Sequence, residues 1–119
     1  MPFSEDKIQK IWEKGLPIDN FDPAIVRKDI VGAGMIREHY GKETLYGWGV
    51  DHIYPVSKGG DDQFDNLRPM QIDNNRSKKD DFPTYLAVKG FDGEKNIDKR
   101  TEMTINEDTV GKLKLLYRF

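Results

Sequence analysis

GWGVDHIYPVSKGGDDQFDNL, residues 47–67, is the stretch on which the fold depends. Its first half is rich in aromatic and β-branched residues, which predicts a β-strand, and Pro55 should close that strand because proline has no amide hydrogen. Asp51 and His52 are neighbours here, although successive side chains of a regular strand point to opposite faces. Either the two side chains have unrelated roles, or the strand stops pairing regularly at this pair so that both serve one site. We take the second alternative as the hypothesis.

A loop and then a helix are predicted after this strand. Residues 57–66, SKGGDDQFDN, form a loop by composition, with tight turns at Gly59 and Gly60. Residues 70–80, MQIDNNRSKKD, have modest helical character, and their basic end suits the negative end of a helix dipole. His52, Asn66 and Asn75 are therefore expected at a strand end, a loop end and a helix.

The segments before this core predict a helix and a β-rich region. Ser4 is a suitable N-cap for a helix over residues 4–14, which carries an apolar stripe and ends at Gly15. The following loop is interrupted by two prolines. Residues 29–41, DIVGAGMIREHYG, are β-rich, with glycines that allow a bend.

The segments after the core predict a strand and a helix. Residues 82–99 are expected to be irregular, and residues 100–105, RTEMTI, to form a strand. Asn106 is a suitable N-cap for a final helix that places Val110, Leu113 and Tyr117 on one face. The chain is therefore predicted to be α+β.

Composition limits the classes of protein that this chain can be. It has 119 residues, 36% hydrophobic and 34% charged, which favours one globular domain. Cysteine is absent, so neither disulfides nor thiolate metal sites are possible. No apolar run is long enough for a bilayer, and the first ten residues lack the apolar core of a secretory signal, which predicts a cytoplasmic location. The net charge of −2 argues against a protein that coats nucleic acid through bulk charge.

Three motifs together resemble the HNH endonucleases, which have the ββα-metal nuclease fold. They are GWGVDHIYPVSKGG, DNLRPM and NNRSKKD, and they lie within residues 47–81. Upstream, RKDIVGAGMIREHYG is similar to part of small stand-alone HNH proteins. The resemblance implies a single domain over residues 1–119, with a ββα-metal core, a flanking N-terminal helix, and a C-terminal strand and helix.

The resemblance also implies a role for each polar residue of the motifs. His52 takes the place of the general base, and neutral imidazole suits that role because its ordinary pKa is about 6.5. Asp51 and Asn75 take the places of metal ligands, and oxygen donors of this kind favour Mg²⁺, with Mn²⁺ or another transition metal as alternatives. Asn66 completes the catalytic group by bracing the loop rather than binding metal.

Two basic residues of the third motif are candidates for contacting the substrate. On a helix, Lys78 shares a face with Asn75, while Arg76 lies about 100° around the axis. Lys78 is thereby expected to reach a phosphate beside the metal, and Arg76 the next phosphate or a carboxylate. His39 lies outside the motifs and is interpreted as a structural or surface residue.

The sequence departs from many HNH relatives, which hold a structural zinc through two Cys-x-x-Cys pairs. Gln71 and Asn74 stand where the second pair would be, and residues 29–34 contain no cysteine. Packing alone must therefore support the site.

The resemblance predicts metal-dependent hydrolysis of phosphodiester bonds in DNA, with RNA as a possible substrate and no membrane partner. No helix-turn-helix or zinc-finger signature is present, so sequence specificity would come from a partner protein. Two alternatives stay open. One is a nucleic-acid-binding module that keeps the fold without cutting, and the other is a structural protein in which DHIYP is only a strand and a turn.

Overall fold

Three α-helices and three two-stranded antiparallel sheets make up the computed structural model, which describes residues 3–119. The helices are α1 (Glu5–Trp12), α2 (Ile72–Lys78) and α3 (Glu107–Tyr117). The strands pair in chain order: β1 (Val26–Lys28) with β2 (Gly34–Ile36), β3 (Trp48–His52) with β4 (Leu67–Gln71), and β5 (Thr84–Phe91) with β6 (Asn96–Thr104). The predicted α+β class and both flanking helices are confirmed. Within residues 3–119, no helix has the length and hydropathy needed to cross a bilayer.

Both flanking helices begin at the residues that the sequence indicated. The Ser4 hydroxyl accepts a hydrogen bond from the backbone N–H of Lys7 at 3.2 Å. The Asn106 side chain accepts one from the backbone N–H of Thr109 at 2.8 Å. Such side-chain acceptors satisfy N–H groups that have no partner inside the first turn of a helix.

Two strands were not expected from the sequence. Residues 82–99 were predicted to be irregular, but they contain β5 and the start of β6, which pair over a long antiparallel ladder; the rest of β6 lies in the predicted strand RTEMTI, which is confirmed. Likewise, β4 contains Pro69, which cannot donate a ladder hydrogen bond and so hid the strand. In the region expected to be β-rich, regular pairing is limited to β2, because residues 29–33 form a turn instead.

Two apolar clusters lie on opposite sides of the β3–β4 sheet. The first joins α1 to Met35, Trp48 and Leu67, with the rings of Trp12 and Trp48 5.1 Å apart. A second cluster joins the sheet, β5–β6 and α3; its buried members are Ile53, Tyr54, Met70, Tyr85, Ile105 and Leu113. The sheet is thus covered by α1 on one face and by α2 with the C-terminal elements on the other.

The carboxylate of Asp29 joins two of these regions. It is 1% exposed, and its Oδ1 accepts three backbone N–H groups from residues 31–33, which closes the turn between β1 and β2. Its Oδ2 accepts the backbone N–H of Gln71 at 3.0 Å and the side-chain amide of Asn74 at 3.2 Å. Burial raises the pKa of Asp29, and these N–H donors oppose that shift.

Asn74 continues this network into the β5–β6 sheet. At the irregularity in the β5–β6 ladder, its Oδ1 accepts the backbone N–H groups of Val88 and Lys89 at 2.8 and 2.9 Å. Its Nδ2 is shared between Asp29 and the carbonyl oxygen of Lys89. A single asparagine therefore satisfies the donors that the bulge leaves without ladder partners.

Removing the Asp29 carboxylate should destabilise the fold. Asp29→Ala leaves five N–H donors without their acceptor in a buried place, so we expect the free energy of unfolding to fall by about 3 kcal/mol or more. Urea denaturation followed by circular dichroism measures this loss. Asp92→Ala is the matched control, because Asp92 accepts two backbone N–H groups in an exposed turn. A loss of about 1 kcal/mol or less is expected there, and equal losses in the two variants would contradict the role of Asp29.

Candidate active site

His52 lies at the end of β3 with its imidazole partly open to solvent. The side chain is 25% exposed, and its Nε2 is 2.7 Å from Oδ1 of Asp62, in the loop that follows. Asp62 is 53% exposed. The imidazole therefore has one ring nitrogen engaged by a carboxylate, and it is accessible enough to meet a substrate.

Asp51, the preceding residue, is buried and fully engaged. Its side chain is 3% exposed; Oδ2 lies 2.8 Å from Nε of Arg68, and Oδ1 lies 3.2 Å from Nζ of Lys78. Arg68 also donates to the hydroxyl of Tyr85 at 3.2 Å. Two cations thus surround one carboxylate, and burial is tolerated because each charge has a partner.

Strand pairing is regular across both residues. Asp51 pairs with Arg68 and His52 pairs with Leu67 in an uninterrupted antiparallel ladder. The hypothesis that the strand becomes irregular at this pair is therefore wrong. Alternation sends the two side chains to opposite faces of β3, Asp51 towards Lys78 on α2 and His52 towards Asp62.

Asn75 lies on the same side of β3 as Asp51. Its Nδ2 donates to the carbonyl oxygen of Val50 at 3.4 Å, and it is 3.4 Å from the point where a Cβ on Gly49 would sit. Gly49 and Asp51 share a face because they are two positions apart on a strand. The structure therefore brings Asp51 and Asn75 to the boundary between β3 and α2, with His52 across the strand.

Asn66 makes bonds in the loop that fit a bracing role. It is completely buried; its Oδ1 accepts the backbone N–H of Tyr54 at 2.7 Å, and its Nδ2 donates to the carbonyl oxygens of Tyr54 and Asp61. Gly60 is needed beside it, because a Cβ there would lie 1.9 Å from the Tyr54 carbonyl oxygen. The loop between β3 and β4 is thus held closed from inside.

The two basic candidates occupy very different positions. Arg76 is 58% exposed and its Nη2 contacts both carboxylate oxygens of Glu43, at 2.6 and 2.7 Å. Lys78 is 0% exposed, and its ammonium also donates to the carbonyl oxygens of His52 and Ile53. Burial lowers the pKa of Lys78, and Asp51 opposes that shift. Lys78 therefore lies inside the protein rather than on the surface expected of a residue that contacts phosphate.

Three residues that shape the site were not identified from the sequence. Asp62, the partner of His52, stands in a loop that carries no signal beyond its composition. Arg68 is found only through the β3–β4 register, which was not predicted. Asp29 had a detectable signal, since an aspartate just before a glycine-containing turn commonly accepts the backbone N–H groups of that turn.

Comparison with known proteins finds a family match that covers the segment with these residues. Residues 40–84 match a family model described as HNH endonuclease, and this match supports the assignment of the segment to that family. Neither curated proteins nor solved structures gave a match. The matched segment contains β3, β4 and α2, and therefore His52, Asp51, Asn66 and Asn75. The match supports nuclease activity in general, with nucleic acid as substrate.

HNH nucleases generally use a divalent metal, and the donors between β3 and α2 suit a hard cation. Within residues 3–119, no group of three or more His, Cys, Asp or Glu side chains is placed to hold a metal. The Asp51 carboxylate and the Asn75 amide nevertheless lie there. The Lys78 ammonium contacts the Asp51 carboxylate, so one cation is already present. A divalent ion held here would have to displace Lys78, and water and phosphate would supply its other ligands.

Removing the Asp51 carboxylate alone should lower the stability of the fold more than removing it together with the Lys78 ammonium. Asp51→Asn leaves the buried ammonium of Lys78 and the partly buried guanidinium of Arg68 without their counter-charge, so we expect a loss of about 3–5 kcal/mol in the free energy of unfolding. Adding Lys78→Met to Asp51→Asn should recover at least about 1 kcal/mol of that loss. A double-mutant cycle by urea denaturation measures this coupling, and additive losses would show that the two charges do not interact.

Proposed function

We propose that this chain is a metal-dependent HNH endonuclease that hydrolyses phosphodiester bonds in DNA. His52 acts as general base, and Asp51 and Asn75 hold a divalent cation, with Mg²⁺ the preferred ion. The observation that carries the proposal is the accessible imidazole of His52, paired with a carboxylate at 2.7 Å inside the segment that matches the family. On this proposal β3, β4 and α2 are the ββα-metal core of one nuclease domain.

The base requires a ring nitrogen that is free to accept a proton. Asp62 engages Nε2 of His52, so Nδ1 is the nitrogen that takes the proton from the attacking water. The water then adds to phosphorus, and the 3′ oxygen leaves. A bound divalent cation supplies charge neutralisation at the phosphate and at the leaving oxygen.

The positions of Asp51 and His52 on opposite faces are compatible with one reaction. Adjacent Cα atoms are only about 3.8 Å apart, so a phosphodiester at the end of β3 would meet His52 directly and Asp51 through the cation that Asp51 holds. Asn66 supports this arrangement by holding the loop that carries Asp62. Arg76, exposed on α2, contacts a flanking phosphate after it releases Glu43.

The substrate is proposed from the chemistry of the HNH endonuclease family. DNA is the main substrate and RNA a second possibility, and a partner protein provides sequence specificity. A formal net charge of −2 supports local rather than extensive contact with the phosphate backbone.

One observation favours a second candidate function. Asp51 is already neutralised by Arg68 and Lys78. If Asp51 never exchanges these partners for a metal ion, the protein would bind nucleic acid without cleaving it. Cleavage and metal binding distinguish the two functions.

Cleavage of a supercoiled plasmid tests the role of the base. With Mg²⁺ or Mn²⁺ present, we expect nicking by the wild type and a loss of at least about 100-fold in His52→Ala, because a positioned base contributes that much or more. Band densities on agarose gels over time give the rates. RNA of the same sequence tests the second substrate.

His39→Ala is the matched control for this assay. The ring of His39 contacts the Thr44 hydroxyl at an exposed position, so the rate should stay within about twofold of wild type. Equal cleavage by wild type and His52→Ala would reject the base assignment. Absence of cleavage by either protein with every metal would favour the binding module.

Titration with Mn²⁺ tests the cation site without reference to activity. Asn75→Ala removes one ligand and should weaken binding at least about tenfold. Lys78→Met removes the competing ammonium and should strengthen binding by a similar factor. Both are measured by calorimetry or by the electron paramagnetic resonance signal of free Mn²⁺. Affinities that are the same in all three proteins would exclude this place as the metal site.

A further inference from the structure

We propose that Asp62 is a positioning residue that fixes the tautomer of His52, with the proton on Nε2 and the lone pair on Nδ1. The observation is the 2.7 Å contact between Nε2 of His52 and Oδ1 of Asp62. An ionised carboxylate only accepts hydrogen bonds, so the ring nitrogen facing it carries the proton. The catalytic part of this inference rests on the proposed role of His52 as base.

The contact is built by the surrounding fold rather than by two free surface side chains. Lys7 on α1 donates to the backbone carbonyl of Asp62 at 2.9 Å. The preceding residue, Asp61, is held through its carbonyl by Asn66 at 3.0 Å and through its carboxylate by the hydroxyl of Tyr117 at 2.6 Å. Elements from both ends of the chain thus hold the backbone of this loop.

Tyr117 remains a hydrogen-bond donor over the whole neutral range. Burial, followed by its hydrogen bond to Asp61, raises the pKa of the Tyr117 hydroxyl to about 12. The same bond lowers the pKa of Asp61, so the phenol stays protonated while the carboxylate stays ionised. The attachment of α3 to the loop is therefore stable at the pH at which a nuclease works.

A fixed tautomer has a direct consequence for a general base. Free imidazole distributes its proton over both nitrogens, so only part of the population presents a given nitrogen to the water. Asp62 keeps one nitrogen protonated and also limits rotation of the ring about χ2, so that the other nitrogen keeps one direction.

Nitrogen NMR tests the tautomer independently of cleavage. The chain has two histidines, so long-range proton–nitrogen correlations of the ¹⁵N-labelled protein above pH 8 show each ring separately. We expect the pattern of an Nε2-protonated ring for His52 in the wild type. In Asp62→Ala the two nitrogen shifts should move towards the average of a mixed population, while His39 does not change. A wild-type ring protonated on Nδ1 would overturn the inference whatever the activity.

Kinetics then test whether the tautomer matters for the reaction. We expect Asp62→Ala to lower kcat for nicking at least about tenfold with KM little changed, because the substrate is not contacted. Asp62→Glu, which restores a carboxylate, should recover part of the rate. Asp65→Ala is the matched control, since Asp65 is an exposed aspartate of the same loop without a hydrogen bond to His52. Its rate and its His52 spectrum should equal those of the wild type.

The outcomes distinguish this inference from the proposed function. If His52→Ala abolishes nicking while Asp62→Ala cleaves like the wild type, the base stands and the positioning role is rejected. If His52→Ala still cleaves, the proposed function fails, and with it the catalytic part of the inference. Thermal melts of Asp62→Ala and Asp65→Ala that agree within about 2 °C show that any difference in rate does not come from unfolding.

Discussion

One buried carboxylate, that of Asp29, connects separate elements of the fold through hydrogen bonds. The Asp29 carboxylate accepts N–H groups from the β1–β2 turn and from the start of α2. Asn74, which donates to Asp29, accepts the N–H groups at the bulge of β5. The network connects residues 29–33 to Gln71 and Asn74. The connection is made by hydrogen bonds to a buried anion, in a chain without cysteine.

The second buried network, formed by Asp51, Arg68 and Lys78, connects stability to the proposed chemistry. In the structure the carboxylate holds β4 and α2 against β3 through two ion pairs. In the proposed reaction the same carboxylate binds a cation. A divalent ion must therefore compete with an ammonium that is held by three oxygen acceptors, two of them backbone carbonyls. On the proposed chemistry, metal affinity would be a difference between two cations at Asp51 rather than the affinity of an open carboxylate.

An element of the fold was predicted from the sequence where its own residues carry the signal for it. The caps at Ser4 and Asn106 are side-chain bonds within three residues, and both were predicted correctly. The second half of β6 was predicted as the strand RTEMTI, but β5 and the start of β6 were missed, because α2 satisfies the N–H groups of β5 that the ladder leaves free and the pattern of β5 itself is weak. β4 was also missed, because Pro69 argues against a strand when the segment is considered alone. Propensity describes a residue in isolation, whereas these strands exist because another element takes their free N–H groups.

The sequence by itself determined the family-like motifs, the elements on which His52, Asn66 and Asn75 lie, and the need to support the site without zinc. Only the tertiary structure decided which face each side chain takes, which partner it meets and which charges are buried. Asp51 and His52 illustrate the difference: adjacency in sequence suggested one shared site, but the register with Arg68 and Leu67 sends them to opposite faces. Lys78 looked like a surface cation and is inside, paired with Asp51. Burial and pairing depend on contacts between residues distant in the chain, and no local pattern of residue types contains that information.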